Sequence, residues 1–311
     1  MSSMPPPYVI FDRRLVRARC LRAAALHPST FLMERVAQEL SDRLASVLRR
    51  FEWAVDLGTP TDAVRRELAR GSNIGAVVAA NASAGRLHQR TAGEGFGAGG
   101  LAVAVDEEAL PFRAASLDLV VSALSLQFVS DLPGTLLQIR RALKPDGLLL
   151  AAFVGGDSLS ELRQSFAAAE AEVENGVSPR IIPFVDVRAA GLLLQRAGFA
   201  LPVTDLDRIT VRYDSPMALM HDLRAMGATN PMVERSRRML RRATLTRMME
   251  IYGERFADPD HRIRATFEII WLSGWAPHPS QQTPLAPASA RTRLADALGV
   301  KEHSTGERAK R

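Results

Sequence analysis

Short apolar runs alternate with helical patterns through the first half of the chain. Five such runs are predicted to form buried strands: 53–57, 75–80, 101–105, 117–122 and 148–154. Apolar residues at helical spacing predict helices over 63–70 and 132–143, between these strands. Strands joined by helices in this way are typical of a parallel sheet that is covered on both faces. The pattern therefore predicts an α/β fold with a doubly wound sheet.

The flanking segments carry patterns of their own. Residues 11–50 have apolar positions at helical spacing, and a methionine-rich helical block is predicted over 216–256. Further elements are predicted after the fifth strand: helices at 158–173 and 187–197, extended segments at 201–205 and 208–213, and a strand at 267–272. Between the second and third strands, a helix is predicted to start at 86–90, and a glycine-rich loop occupies 93–100.

Composition narrows the class of protein. Of 311 residues, 47% are hydrophobic and 24% are charged, which is ordinary for a globular protein. No apolar run reaches the roughly 18 residues that a membrane-spanning helix needs. Because Cys20 is the single cysteine and no apolar signal lies near the start, we expect no disulfide framework and a cytoplasmic location.

The formal net charge of +6 raises the question of a nucleic-acid partner. The basic residues are almost all arginines and are spread along the chain, with the densest run at 235–247. That run contains no aromatic residue for stacking on bases, and we interpret it as one exposed helix face. We therefore expect no nucleic-acid binding and interpret the arginine content as a general use of arginine in place of lysine along the whole chain.

The turn after the first strand, DLGTPTD at 56–62, is the first candidate site. Ligands of doubly wound sheets bind at the carboxyl ends of the strands, and a glycine-rich turn there lets the backbone approach a cofactor. Only Gly58 is present in this turn. Pro60 has no N–H to donate, and Asp62 adds a negative charge where a small residue is expected.

Polar residues follow the next two strands. Asn81 stands where nucleotide-binding folds place an acid that accepts from the ribose hydroxyls, although an ordinary loop residue is an equal alternative. Asp106, with Glu107 beside it, follows the third strand. Asp106 is well placed to accept from an adenine amine, and a solvated loop acid is the alternative.

The fifth strand ends in a third candidate. Gly155, Gly156 and Asp157 either approach a substrate at this edge of the sheet or form a tight turn. The six histidines lie far apart, without the spacing of metal ligands, and neither a GxSxG motif nor a P-loop is present. We therefore predict no metal site and assign no catalytic residue.

Several of these motifs resemble one known group. VDEEALPF at 105–112 and LKPDG at 143–147 are similar to the class I S-adenosylmethionine-dependent methyltransferases. More specific runs resemble the branch that contains the mitochondrial complex I assembly factor 5, an arginine hydroxylase: IFDR at 10–13, GGD at 155–157, SPRIIPF at 178–184, DLRAMG at 222–227 and GW at 274–275. The resemblance covers roughly residues 10–298.

The resemblance implies a Rossmann-like class I methyltransferase fold, with a seven-stranded doubly wound sheet and a helical cap insertion. It divides the chain into these segments: a disordered tail at 1–9, an N-terminal helical segment at 10–50, a methyltransferase-like core at 51–214, the cap at 215–262, a last strand and C-terminal segment of the core at 263–298, and a polar tail at 299–311.

The resemblance also implies S-adenosylmethionine as the cofactor. Its contacts would be Asp56 and Gly58 in the loop, Asn81 at the ribose, and Asp106 with Glu107 near the adenine. The family has glycines at positions 60 and 62 and an acid at 81, so this chain departs from the family pattern. Each lost contact costs about 1.5–3 kcal/mol, and we therefore expect weakened or lost cofactor binding.

Three functions compete on these observations. The first is an S-adenosylmethionine-dependent enzyme that methylates or hydroxylates a protein arginine during respiratory complex I assembly. The second is a non-catalytic assembly chaperone that no longer binds cofactor. The third is a small-molecule or acyl-carrier O-methyltransferase, similar to the malonyl-carrier enzyme of biotin synthesis. The expected partner is a complex I subunit, through which any peripheral membrane contact would be made.

Overall fold

The computed structural model describes residues 9–25, 28–71, 73–82, 101–282, 292 and 294–301. The chain forms two compact units, Met1–Pro277 and His278–Arg311. The second unit contains a short helix, Leu294–Leu298. The helix start predicted at 86–90 and the glycine-rich loop at 93–100 lie outside the described residues, as do most of both predicted tails. The remaining elements all belong to the first unit.

A seven-stranded mixed sheet forms the centre of the first unit. In chain order its strands are β1 (Phe51–Leu57), β2 (Ile74–Asn81), β3 (Ala102–Ala104), β4 (Leu117–Ala123), β5 (Leu143–Gly155), β6 (Ala200–Tyr213) and β7 (Ile263–Trp275). Their spatial order is β3-β2-β1-β4-β5-β7-β6, and β7 runs antiparallel to both of its neighbours. The α/β fold with a seven-stranded doubly wound sheet is confirmed.

The strand order reverses beside β1, which pairs in parallel with β2 on one side and β4 on the other. Asp56 is aligned with Ala79 of β2 and with Val121 of β4. The carboxyl ends of these strands therefore meet at one edge. This is the switch point at which doubly wound sheets bind ligands.

Eight helices flank the sheet among the described residues of the first unit. They are α1 (Arg13–Ala25), α2 (Phe31–Ala45), α3 (Ala63–Arg70), α4 (Leu132–Ala142), α5 (Ser160–Glu174), α6 (Val187–Arg196), α7 (Pro216–Ala225) and α8 (Arg242–Phe256). None of the helices in the described part of the chain is long and apolar enough to cross a membrane.

Two predicted elements differ in the structure. The helical block predicted over 216–256 is two helices, because Gly227 at φ +76° follows α7 and residues 226–241 are not helical. The arginine run at 235–247 is consequently not one helix face, since its first part lies in this connection. The extended segments at 201–205 and 208–213 join into the single strand β6.

Each central strand contributes to two hydrophobic cores. On β5, Leu148 and Leu150 pack toward the core that includes α2, α5 and α8, whereas Leu149 and Phe153 pack toward the core that includes α4 and α6. This alternation follows from the two-residue period of a strand. Both faces of the central strands are therefore buried, as the apolar runs predicted.

Replacing Leu149 by Ala tests this layering. Leu149 is fully buried at the centre of the sheet, so the change should lower the free energy of unfolding by about 2–5 kcal/mol in urea titrations. Leu137→Ala is the matched control, because Leu137 on α4 is 49% exposed and its loss should change the free energy by about 0.5 kcal/mol or less. Equal effects of the two substitutions would contradict the layering.

Candidate cofactor and substrate site

A cavity of about 930 Å³ opens at the carboxyl edge of the sheet. Its polar side is formed by the β1–α3 turn, the end of β2 and the N-terminal helix α1. Its apolar side is formed by α7, which lies in the segment predicted as the cap insertion, and by the SPRIIPF segment. The volume lies within the range of about 300–1,000 Å³ that is usual for small-molecule sites.

Gly58 sets the path of the β1–α3 turn. Its φ of +71° favours glycine, and its N–H donates to the carbonyl of Ala80 at 2.7 Å. A Cβ at this position would overlap with Ser125 Oγ and would lie 2.8 Å from Glu107 Oε1. The backbone, Ser125 and Glu107 therefore pack together without room for a side chain.

The rest of the turn is held to its surroundings by polar contacts. The Ala123 N–H donates to Thr59 Oγ1 at 3.2 Å, which ties the turn to the end of β4. Asp62 precedes α3, where its carboxylate pairs with Arg66 at 2.7 Å instead of capping the helix. Pro60 and Asp62, the two departures from a glycine-rich turn, both line the cavity.

Asp56 lies behind the turn. Its side chain is fully buried, and its Oδ2 lies 4.0 Å from Nε of Arg65, which is also buried. Arg65 lines the cavity and Asp56 does not. The buried guanidinium supplies the opposite charge that a buried carboxylate requires.

Asn81 braces the turn from the next strand. Its side chain is buried, and its amide nitrogen lies 3.5 Å from the Gly58 carbonyl and 3.3 Å from the Thr59 carbonyl, to which it donates. An acid at this position would face two carbonyl oxygens without a proton to donate. Asn81 therefore holds the turn through two donated hydrogen bonds that a carboxylate could not make.

Asp106 and Glu107 are held by two arginines from α1, a group that we call the arginine clamp. Arg13 contacts both carboxylates, lying 3.1 Å from Asp106 Oδ1, and Arg17 contacts the other oxygen of Asp106. Arg13 also donates to the carbonyl of Phe128 at 3.0 Å. The clamp joins the N-terminal helix to the edge of the sheet.

The clamp also helps to lower the pKa of Asp106. Burial raises the pKa of Asp106, but the Glu108 N–H, which donates to its carboxylate, and the charge of Arg13 outweigh that effect and hold the pKa below its ordinary value. Asp106 is therefore an ionised acceptor at neutral pH. Glu107 lines the cavity, whereas Asp106 lies beside it.

Gly155, Gly156 and Asp157 do not line the large cavity. Gly156 has a φ of +56°, and the Asp157 N–H donates to the buried carboxylate of Glu268 at 2.8 Å. The Asp157 side chain is 76% exposed. Gly156 and Asp157 line a separate hollow of about 370 Å³, so their contact with a substrate stays a prediction.

The structure thus brings together Gly58, Asn81 and Glu107 of the predicted cofactor residues. Sequence reasoning missed Arg13, Arg17 and Arg65. The spacing of Arg13 and Arg17 places both on one face of α1, but nothing local indicates which acids they meet. Within the described ranges, no group of three or more His, Cys, Asp or Glu side chains is arranged to hold a metal.

Comparisons with known proteins find relatives along nearly the whole chain. Residues 55–151 match a family described as a methyltransferase domain. The mitochondrial arginine-hydroxylase NDUFAF5 of Danio rerio is 36% identical over 290 residues, covering 92% of this chain and 89% of the relative. A malonyl-acyl-carrier-protein O-methyltransferase of Gallionella capsiferriformans is 31% identical over 279 residues, covering 87% of this chain and 93% of the relative.

Solved structures share the fold. The YcgJ protein of Bacillus subtilis superposes with a TM-score of 0.52 at 13% identity, covering 78% of this chain and 99% of that chain. At this level of identity the similarity concerns the fold alone.

Replacing Asn81 by Asp tests its bracing role. The carboxylate would face the Gly58 and Thr59 carbonyls, so the change should lower the free energy of unfolding by about 1–3 kcal/mol in urea titrations at neutral pH. Asn73→Asp is the control, because the Asn73 amide also donates to two carbonyls but is only partly buried, so this change should lower the free energy of unfolding less. A fully stable Asn81→Asp variant would contradict the bracing role.

Proposed function

We propose that this chain acts on an arginine side chain of a protein during respiratory complex I assembly. The chain belongs to the class I S-adenosylmethionine-dependent methyltransferase superfamily and, within it, to the family of the arginine-hydroxylase NDUFAF5. The similarity to NDUFAF5 carries the proposal, because it extends over 92% of this chain at 36% identity, whereas the acyl-carrier methyltransferase is 31% identical over a comparable length. A similarity confined to the methyltransferase domain at residues 55–151 would support only the use of S-adenosylmethionine as cofactor and would say nothing of the substrate.

Several residues lie at the cavity where an S-adenosylmethionine cofactor would bind, and some of them have side chains that suit it. Gly58 and Asn81 would adjoin it at the strand ends, and Glu107 would supply a buried acceptor. The cofactor, when bound, supplies an electrophilic methyl group. The protein's share of such a reaction is mainly to position the acceptor and to exclude water.

The arginine clamp supports an arginine acceptor. Glu107 and Asp106 already hold the guanidinium groups of Arg13 and Arg17, so the carboxylates are arranged for the planar group that a substrate arginine would present.

A second candidate is a non-catalytic assembly chaperone with the same partner. Three features favour it: Pro60 and Asp62 line the turn where the family has glycines, and Asn81 uses its amide on the turn itself. The chaperone candidate implies that cofactor binding by this chain is weakened or lost. We also propose a cytoplasmic location, which the free Cys20 and the absence of a disulfide framework support.

Cofactor binding separates the two candidates. We expect the purified chain to bind S-adenosylmethionine in isothermal titration calorimetry at up to millimolar ligand. Glu107→Gln should weaken binding about tenfold or more, because the acceptor loses its charge. Asp157→Asn is the control and should leave the affinity unchanged, because Asp157 lies outside the large cavity. No heat of binding at millimolar cofactor would exclude the enzyme and favour the chaperone.

The cellular role separates complex I assembly from acyl-carrier methylation. Deletion of the gene in its host should reduce NADH oxidation by complex I while leaving growth without biotin intact. The wild-type chain should restore activity, and Glu107→Gln should not if turnover is required. A biotin requirement with normal NADH oxidation would contradict the proposal and favour the acyl-carrier enzyme.

A further inference from the structure

One arginine on the wall of the large cavity is distinguished by its missing counter-charge. Eight arginines line this cavity. Within the described ranges, seven of them have a carboxylate oxygen within 4.0 Å, and Arg19 has none. A partly buried cation without an acidic partner is costly, so its position indicates a charge that a ligand can supply.

The Arg19 guanidinium is held by the connection between α7 and α8. It donates to the carbonyl of Thr229 at 2.8 Å and to the carbonyl of Asn230. Arg235, farther along the same connection, donates to the Met232 carbonyl at 2.7 Å and lies 3.8 Å from Asp12. Both guanidinium groups line the cavity, which gives this wall a pair of positioned cations.

Electrostatics agree with this geometry. Burial lowers the pKa of Arg19, and the positive charges of Arg235 and Arg22 lower it further, with Asp12 opposing them. The guanidinium remains charged at neutral pH. An anion beside Arg19 would offset both the desolvation cost of the partly buried guanidinium and its repulsion by Arg235 and Arg22.

An apolar surface begins next to this pair. The Asn230 side chain donates to the Pro179 carbonyl at 2.7 Å, which joins the connection to the SPRIIPF segment. Ile181 and Ile182 of that segment line the cavity, and so do Leu223 and Met226 from the cap insertion. A ligand whose charged end reached Arg19 would therefore have apolar side chains along its body.

We propose that the cap side of this cavity binds an amphiphilic anion, with a carboxylate or phosphate paired to Arg19 and Arg235 and an aliphatic chain against Ile181, Ile182 and Met226. A cationic head would be repelled by the two guanidinium groups, and a neutral head would leave Arg19 without a counter-charge. The inference goes beyond the proposed function and does not depend on S-adenosylmethionine binding.

Four probes with the same alkyl chain length test the inference on the whole 311-residue chain. Laurate, dodecyl phosphate, dodecanol and dodecyltrimethylammonium are titrated by calorimetry below their micelle concentrations. At least one anionic probe should bind about tenfold or more tightly than dodecanol, because a charge-assisted bond is gained. The cationic probe should bind more weakly than dodecanol. The preference between laurate and dodecyl phosphate identifies the head group.

Variants of α1 assign the effect to Arg19. Arg19→Ala should remove about tenfold or more of the affinity for the preferred anion, and Arg19→Lys should restore part of it. Arg14→Ala is the matched control, because Arg14 is exposed on the same helix and does not line the cavity. If Arg19→Ala does not fold, as judged by circular dichroism, Arg235→Ala is used instead.

Three results would overturn the inference. They are equal affinity for the anionic and neutral probes, unchanged affinity in Arg19→Ala or Arg235→Ala, and no binding of either anion up to its solubility limit. Cofactor titration of the same samples keeps this outcome separate from the proposed function. A sample that binds S-adenosylmethionine but no anionic probe refutes only the inference.

Discussion

The arginine clamp is the interaction on which the shape of the site depends. Arg13 and Arg17 reach from α1 to Asp106 and Glu107, more than 80 residues farther along the chain. Without these ion pairs α1 would lose its charged attachment to the sheet edge. The low side-chain exposure of Arg13 and Glu107 makes their pairing matter more than a surface ion pair would.

The same carboxylates connect the fold to its chemistry. Glu107 packs against the turn at Gly58 while it faces the cavity, so one side chain joins the clamp, the turn and the site of the expected cofactor. The turn itself is held by polar contacts from Asn81 and from the end of β4. These contacts hold the turn in place although Pro60 and Asp62 stand at positions where the resemblance implies glycines.

The sequence predicted those strands and helices whose signals lie within a few neighbouring residues. The strand predicted at 53–57 lies within Phe51–Leu57, and the helix predicted at 63–70 has the observed bounds, because a buried apolar run and a terminal glycine are both local signals. Gly58, Asn81 and Glu107 were expected at one edge because parallel strands end together. The connection at 226–241 could not be predicted, since long-range contacts such as the Phe11–Met232 bridge keep it out of a helix.

A crystal structure of the chain grown with S-adenosylhomocysteine, the demethylated form of the cofactor, would show whether this edge of the sheet binds the cofactor. We expect the ligand beside Gly58 and Asn81, within reach of Glu107, while Arg13 and Arg17 still hold Asp106. A structure in which the ligand is absent at saturating concentration, or in which it binds away from this edge of the sheet, would contradict the proposed site.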